Sequence, residues 1–252
     1  MARVLVTGGT GVLGSRVARI LAARGHNPVI LSRRADATAP QGIEVRKGDV
    51  RTGAGLTEAV EGMNVVVHAA SNPRFRPRRT EVDGTAHVVD AAHRADVDHL
   101  IYVSIVGVDR IPFFYYRAKE AAERVVTESP VPWTIQRATQ FHSFPFEFMV
   151  ARTGLAPRGI RLQLVDASEV AARLVDQVET GPVGRSPDMG GPEILSLRQV
   201  ADTHREVTGQ RIRLLQFPAI GKTSRGFAEG HNLCPEHADG TITFADYLRS
   251  QA

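Results

Sequence analysis

A serine, a tyrosine and a lysine in the middle of the chain have the types and spacing for proton transfer at an oxygen. Ser104 ends the apolar run IYVS, and YYRAK follows, placing Tyr115 and Lys119 at i and i+4 on one face of an expected helix. A phenol with a pKa of about 10 is a poor proton donor near neutrality. An ammonium beside it favours the phenolate and lowers that value, and a hydroxyl such as Ser104 can hold a substrate oxygen as charge develops on it. Taken alone, a Tyr-x-x-x-Lys pair is also what a solvated helix surface beside Glu120 and Glu123 would show. Tyr116, at i+3 from Lys119, is the second choice of donor.

The elements that would position these groups alternate regularly. Strand-length apolar runs are expected at Arg3–Thr7, Pro28–Ser32, Ile43–Lys47, Val65–Ala69, Leu100–Ser104 and Trp133–Arg137, and several are apolar throughout, as strands buried on both faces of a parallel sheet are. Helical patterns at Val12–Ala23, Thr80–Ala95 and Tyr115–Thr127 separate them. The expected fold is α/β, a Rossmann-like doubly wound parallel sheet. Active sites in such sheets lie at the carboxyl ends of the strands, where Ser104 stands.

After about Phe141 the rhythm changes. A possible strand at Ile160–Val165, a helix at Ala167–Val178, a Gly/Pro-rich loop, a helix near Ser196–Val207 and a strand at Arg211–Gln216 precede a long loop at Gly221–Gly240 and a short final helix. The division expected is residues 1–140 as the nucleotide domain and 141–252 as a small C-terminal substrate-side appendage packed on it.

The stretch TGGTGVLG, Thr7 to Gly14, gives the sheet its ligand. It follows a strand and opens a helix within a unit of about thirty residues, the context in which glycines admit a dinucleotide. Gly8 would allow the tight turn, Gly11 the approach of a pyrophosphate, and Gly14 close helix–sheet contact. Gly9 would be incidental. Thr10, Val12 and Leu13 would lend backbone N–H groups at the helix N-terminus. The second strand ends in Ser32-Arg33-Arg34 with no carboxylate before Asp36. A guanidinium pair and a hydroxyl suit a ribose 2′-phosphate, so NADP(H) is expected over NAD(H). Asp49 and Val50 follow the third strand near the adenine edge, although Asp49 could simply begin the next helix. Ala69, Ala70 and Ser71 after the fourth strand are small enough for backbone to pass close to the cofactor.

Bulk composition is that of an ordinary globular chain: 252 residues, 42% hydrophobic and 23% charged. Net charge is +4, from 31 basic and 27 acidic residues. Without a basic helix or an aromatic-basic sheet motif, that balance gives no reason to expect nucleic acid. One cysteine excludes an intrachain disulfide and suits a reducing compartment. A first strand so near Met1 and the lack of long apolar runs predict a cytoplasmic protein with no membrane partner.

In order along the chain, TGGTGVLG, LSRR, GDV, HAAS, VDGTAHVVDAA, YVSIVGVD, YYRAKEAAE and PWTIQRATQFH resemble the short-chain dehydrogenase/reductase superfamily, and more closely its atypical, NmrA-like branch. The resemblance implies that Ser104, Tyr115 and Lys119 form a catalytic trio, that Arg33 and Arg34 read the 2′-phosphate, and that Ala138, Thr139 and Gln140 border the nicotinamide. The expected function is NADPH-dependent reduction of a carbonyl, enone or quinone-like small molecule. Some members of the branch are NADP-sensing regulators, so a non-catalytic sensor that binds a protein partner is the alternative.

Weaker features complete the reading. Phe141, His142 and Phe114 are candidate substrate contacts, and Phe144, Phe146 and Phe148 belong to the same crowded stretch, which a core seam would equally explain. The basic run Arg74–Arg79 reads as a solvated loop. His231, Cys234 and His237 have metal-like spacing but too few ligands for an expected metal, and the loop that holds them reads better as a lid.

Overall fold

The computed structural model describes residues 1–34, 39, 42–73, 77–145 and 154–251. Asp36, Arg74 to Arg76, Phe146 and Phe148 lie outside the described residues.

Strands β1 (Arg3–Thr7), β2 (Asn27–Ser32), β3 (Glu44–Lys47), β4 (Val65–His68), β5 (His99–Ile105), β6 (Trp133–Ala138) and, further along the chain, β9 (Gly184–Arg185) form one sheet in the order β3-β2-β1-β4-β5-β6-β9. Pairing is parallel, with Thr7 opposite both Leu31 and His68. The order reverses direction at β1, so a crevice opens beyond the carboxyl ends of β1 and β4. Val4, Leu5, Val6, Val66 and Val67 are wholly buried, which is why these strands are continuously apolar.

The chain divides into two compact units that are not consecutive halves. The first comprises residues 1–104, 117–136 and 170–186. It contains most of the sheet with α1 (Val12–Ala23), α2 (Leu56–Val60), α3 (Gly84–Arg94), and most of α4 (Phe114–Thr127) and α5 (Ala167–Thr180). Its core runs through Leu5, Val29, Leu56, Val66, Val88, Leu100, Tyr102, Ala122 and Ile135.

The second unit comprises residues 105–116, 137–169 and 187–252. Here β7 (Leu155–Pro157) pairs in parallel with β11 (Leu215–Phe217), and β8 (Arg161–Leu162) pairs antiparallel with β10 (Leu195–Ser196). Its helices are α6 (Leu197–Thr208), α7 (Gly221–Ala228) and α8 (Phe244–Ser250), around a core of Ile160, Leu162, Leu164, Leu197 and Phe244. Ser196 caps α6 in a reciprocal capping box with Gln199.

Several elements depart from expectation. The strand expected at Ile160–Val165 contracts to β8 and one bridge from Val165 to Phe141. The loop expected at Gly221–Gly240 holds α7 and a 3₁₀ turn at Pro235–His237. GKTSRGFA has weak helical propensity, and α7 is held by tertiary packing. Gly226 lies against Ile111, and Phe227 makes edge contacts with Phe113 and Tyr116. The helix expected from Thr80 opens with a π turn at Arg79–Asp83 before α3.

Candidate active site

In the first unit, β1 delivers Thr7 to a turn in which every glycine but one meets a near neighbour. Gly8 has φ +66°, and a Cβ there would stand 2.7 Å from Ala69 O and 2.8 Å from Ala70 Cα. A Cβ on Gly14 would stand 2.3 Å from Gly8 O. A Cβ on Gly9 would meet Ile30 Cγ2 at 2.6 Å, so Gly9 is not incidental: it lets the turn lie flat on β2. Gly11 is the open one, with only Gly8 O nearby at 3.2 Å. Thr10, Gly11 and Val12 are exposed, whereas Leu13 turns its side chain into the core. Helix α1 has no side-chain cap and no acidic residue in its first turn. Its leading N–H groups and positive end therefore suit an anion such as a pyrophosphate.

Arg33 and Arg34 are exposed just past β2, where the Arg34 N–H donates to Ser32 Oγ at 3.2 Å. Asp49 accepts from the Arg51 N–H at 3.0 Å and pairs with its guanidinium at 2.7 Å. The Arg51 hydrogen bond chiefly, with a smaller contribution from the charge of Arg33, holds the Asp49 carboxyl below the usual carboxylate range. Asp49 thus heads a turn, and Val50 is buried.

The small residues of HAAS have a reason beyond any ligand, since Ala69 and Ala70 are what Gly8 packs against. A polar chain underlies them. The Ala70 N–H donates to Thr7 Oγ1 at 3.1 Å, Thr7 Oγ1 meets His68 Nδ1 at 2.6 Å, and His68 Nε2 meets Thr85 Oγ1 at 3.1 Å. Thr85 gives its own proton to the Glu81 carbonyl, so it accepts from His68, and the network assigns the proton of a neutral imidazole to Nε2. Burial, reinforced by the charge of Lys119, pushes the His68 pKa down to about 3.

Ser104 and Lys119 belong to this same unit. Ser104 is buried, and among the described residues its Oγ has no hydrogen-bond partner. Such an orphan hydroxyl fits a site completed by a ligand. Lys119 is not a surface residue: it is 4% exposed, its Nζ donates to Val103 O at 2.5 Å, and it lies 3.4 Å from Glu81 Oε2 and 4.2 Å from the centre of the Tyr102 ring. Glu120 and Glu123 pair instead with Arg124 and Arg185. Thr7, His68, Glu81 and Thr85 were not singled out from the sequence. Glu81 leads a helical segment that also carries Asp83 and Asp90, so its type alone gave no signal.

In the second unit the two tyrosines separate. Tyr116 is buried against Phe113 and Phe227 and its hydroxyl accepts from Gln140 Nε2 at 3.1 Å, while burial holds its pKa well above the usual phenol value. Tyr115 is half-buried and Phe114 is 56% exposed. Ala138 and Thr139 are buried, and Phe141 is half-buried. His142 is a core residue, stacked on Tyr247 and bonded through Nε2 to Ile242 O at 3.1 Å, so its ring builds the interior of this unit. Cys234 is buried too; its N–H donates to Gln163 Oε1 at 2.8 Å, and burial pushes its thiol up to about 12. Among the described residues no group of three His, Cys, Asp or Glu side chains is placed to hold a metal, and no helix is long and apolar enough to cross a membrane.

A switch-point sheet with an uncapped glycine-rich helix start defines a dinucleotide-binding protein of the Rossmann class. The chain belongs to the NAD(P)H-binding family, which it matches over residues 8–180. It is 32% identical to the (4-alkanoyl-5-oxo-2,5-dihydrofuran-3-yl)methyl phosphate reductase of Streptomyces griseus subsp. griseus, across 99% of this chain and 88% of that one. Its fold matches an NADPH-dependent quinone oxidoreductase of Escherichia coli solved with NADPH, at a TM-score of 0.81 and 19% identity over 98% of this chain and 99% of that one. A triphenylmethane reductase of Citrobacter sp. matches at a TM-score of 0.78 and 19% identity over 99% and 98%. The family match and the Streptomyces griseus reductase relative make the protein an NAD(P)-dependent oxidoreductase.

Proposed function

We propose that this protein is an NADPH-dependent reductase of a conjugated carbonyl compound, an enone or quinone-like small molecule, with Tyr115 as proton donor. The observation that carries the reading is the placement of Ser104 and Lys119. A buried serine with an unpartnered hydroxyl and a buried lysine share one unit with the glycine cradle. The Streptomyces griseus relative, whose name describes an alkanoyl-substituted oxo-dihydrofuran, supports the enone arm.

NADPH, when bound, would supply the hydride. Gly8 to Gly14 and the start of α1 would hold its pyrophosphate, and Arg33, Arg34 and Ser32 its 2′-phosphate. Ser104 Oγ donates to the substrate oxygen as charge develops on it. Tyr115 delivers its phenolic proton to the reduced product, and Lys119, four residues on along α4, supplies the positive charge that makes the phenol a usable acid. Phe114 and Phe141 are the substrate contacts of this reading.

The alternative is a non-catalytic NADP(H) sensor, in which the contacts of Lys119 with Val103 O and Glu81 are structural only. A panel of ketones, enones and quinones, followed by loss of NADPH absorbance, separates the two readings. The reductase turns over at least one compound, and Tyr115→Phe then lowers kcat by about 10²–10⁴ with NADPH affinity unchanged. NADPH binding without turnover of any compound establishes the sensor, and a Tyr115→Phe variant as fast as the parent removes the tyrosine assignment.

A further inference from the structure

We propose that Glu81 is a positioning residue of the active site, whose carboxylate holds the Lys119 ammonium in place and ties it to the segment after β4. The proposal rests on the reading of Lys119 as part of the catalytic trio. Glu81 is wholly buried, and its two oxygens do different things. Oε1 accepts from Ser71 Oγ and from the Asn72 N–H, both at 2.9 Å, and so fixes the turn that leaves β4. Oε2 receives no hydrogen bond among the described residues and faces Lys119 Nζ at 3.4 Å.

A neutral amide oxygen would serve Ser71 and Asn72 as well as Oε1 does. Burying a full carboxylate is costly unless a cation compensates it, and among the described residues Lys119 is the cation that faces it. The charge on Glu81 is therefore accounted for by the lysine, not by the turn. On its other side Lys119 grips Val103 O, one residue before Ser104. The chain of contacts runs Ser71–Asn72, Glu81, Lys119, Val103–Ser104, entirely within the first unit. It links two segments assigned here to the ligand, the turn after β4 and the end of β5, through one buried ion pair. The ammonium is thereby held in place by protein groups and not by solvent.

The test is a kinetic double-mutant cycle with the best substrate of the panel, using Glu81→Gln, Lys119→Met and the double variant. Glu81→Gln keeps an acceptor for Ser71 and Asn72 and removes only the charge. It is expected to lower kcat by about tenfold to a hundredfold while the KM for NADPH changes by less than about threefold. In the Lys119→Met background the same substitution is expected to cost nothing further. Glu81→Asp, which keeps the charge, is expected to retain more activity than Glu81→Gln, and it carries the comparison if Glu81→Gln does not fold. Wild-type kcat in Glu81→Gln overturns the proposal, and so does an equal fractional loss with and without Lys119, since Glu81 would then act by another route. Wild-type turnover in Lys119→Met alone is a different failure: it removes the catalytic reading of the lysine, and the proposal with it.

Discussion

Replacing Gly14 by alanine tests the architecture of the cofactor cradle directly. The new Cβ would stand 2.3 Å from Gly8 O, 2.7 Å from Gly8 C and 2.8 Å from Gly9 Cα. Carbon needs about 3.5 Å from such atoms, so the start of α1 and the turn after β1 must part by about 1 Å. Neither side can retreat freely. Gly8 is pressed on Ala69 and Ala70, and Gly9 on Ile30. Overpacking of this kind costs about 1–3 kcal/mol, or roughly 2–12 °C of Tm in a chain of this size. Parting the cradle also weakens a charge-assisted bond from the helix start to the pyrophosphate, about 1.5–3 kcal/mol, which is about a tenfold to a hundredfold loss of NADPH affinity. Gly11→Ala is the control, because only Gly8 O lies nearby, at 3.2 Å, and φ is −86°. Gly11 is itself exposed and a shift of about a few tenths of an ångström relieves the contact, so the substitution should lower NADPH affinity while leaving Tm within about 2 °C. Thermal melts and fluorescence titration with NADPH read both quantities. A Gly14→Ala protein with parental Tm and affinity, or a Gly11→Ala protein as destabilised as Gly14→Ala, would refute the reasoning.

Two further outcomes are expected. Arg33→Ala/Arg34→Ala should weaken NADPH by about tenfold or more and NADH much less; equal losses in paired titrations would remove the 2′-phosphate reading. The buried His68 makes stability depend on acid. Its pKa falls from 6.5 to about 3 on folding, so the unfolded chain takes up the proton first as pH drops. The stabilisation is complete above pH 6.5 and declines from there toward pH 3, by about 2 kcal/mol at pH 5. Urea unfolding should therefore show His68→Gln losing less stability than the parent between pH 7.5 and 5, and parallel losses would contradict the buried neutral imidazole.

Much of the first unit was legible in the sequence because its signals are local. Short apolar runs rich in Val and Ile and bounded by turn residues fit strands covered on both faces, and Ser32-Arg33-Arg34 and Ser104 fall at their ends. The same locality misread Gly9, whose role comes from Ile30 on a neighbouring strand. Short elements were invisible for a related reason. Gly184–Arg185 is a strand only because β6 pairs with it, and α7 is a helix because Phe227 packs on Phe113 and Tyr116.

The sequence by itself determined the parallel sheet, the glycine turn that admits a dinucleotide, and the residue types of the proposed proton-transfer trio. These follow from spacing along the chain, which periodicity and turn chemistry expose. Only the tertiary structure decided which tyrosine is buried and which is accessible, that His142 belongs to the core, and that Lys119 faces Glu81 and not solvent. Burial and charge pairing depend on groups brought together from distant parts of the chain, such as Glu81 and Lys119, and no local pattern encodes that meeting.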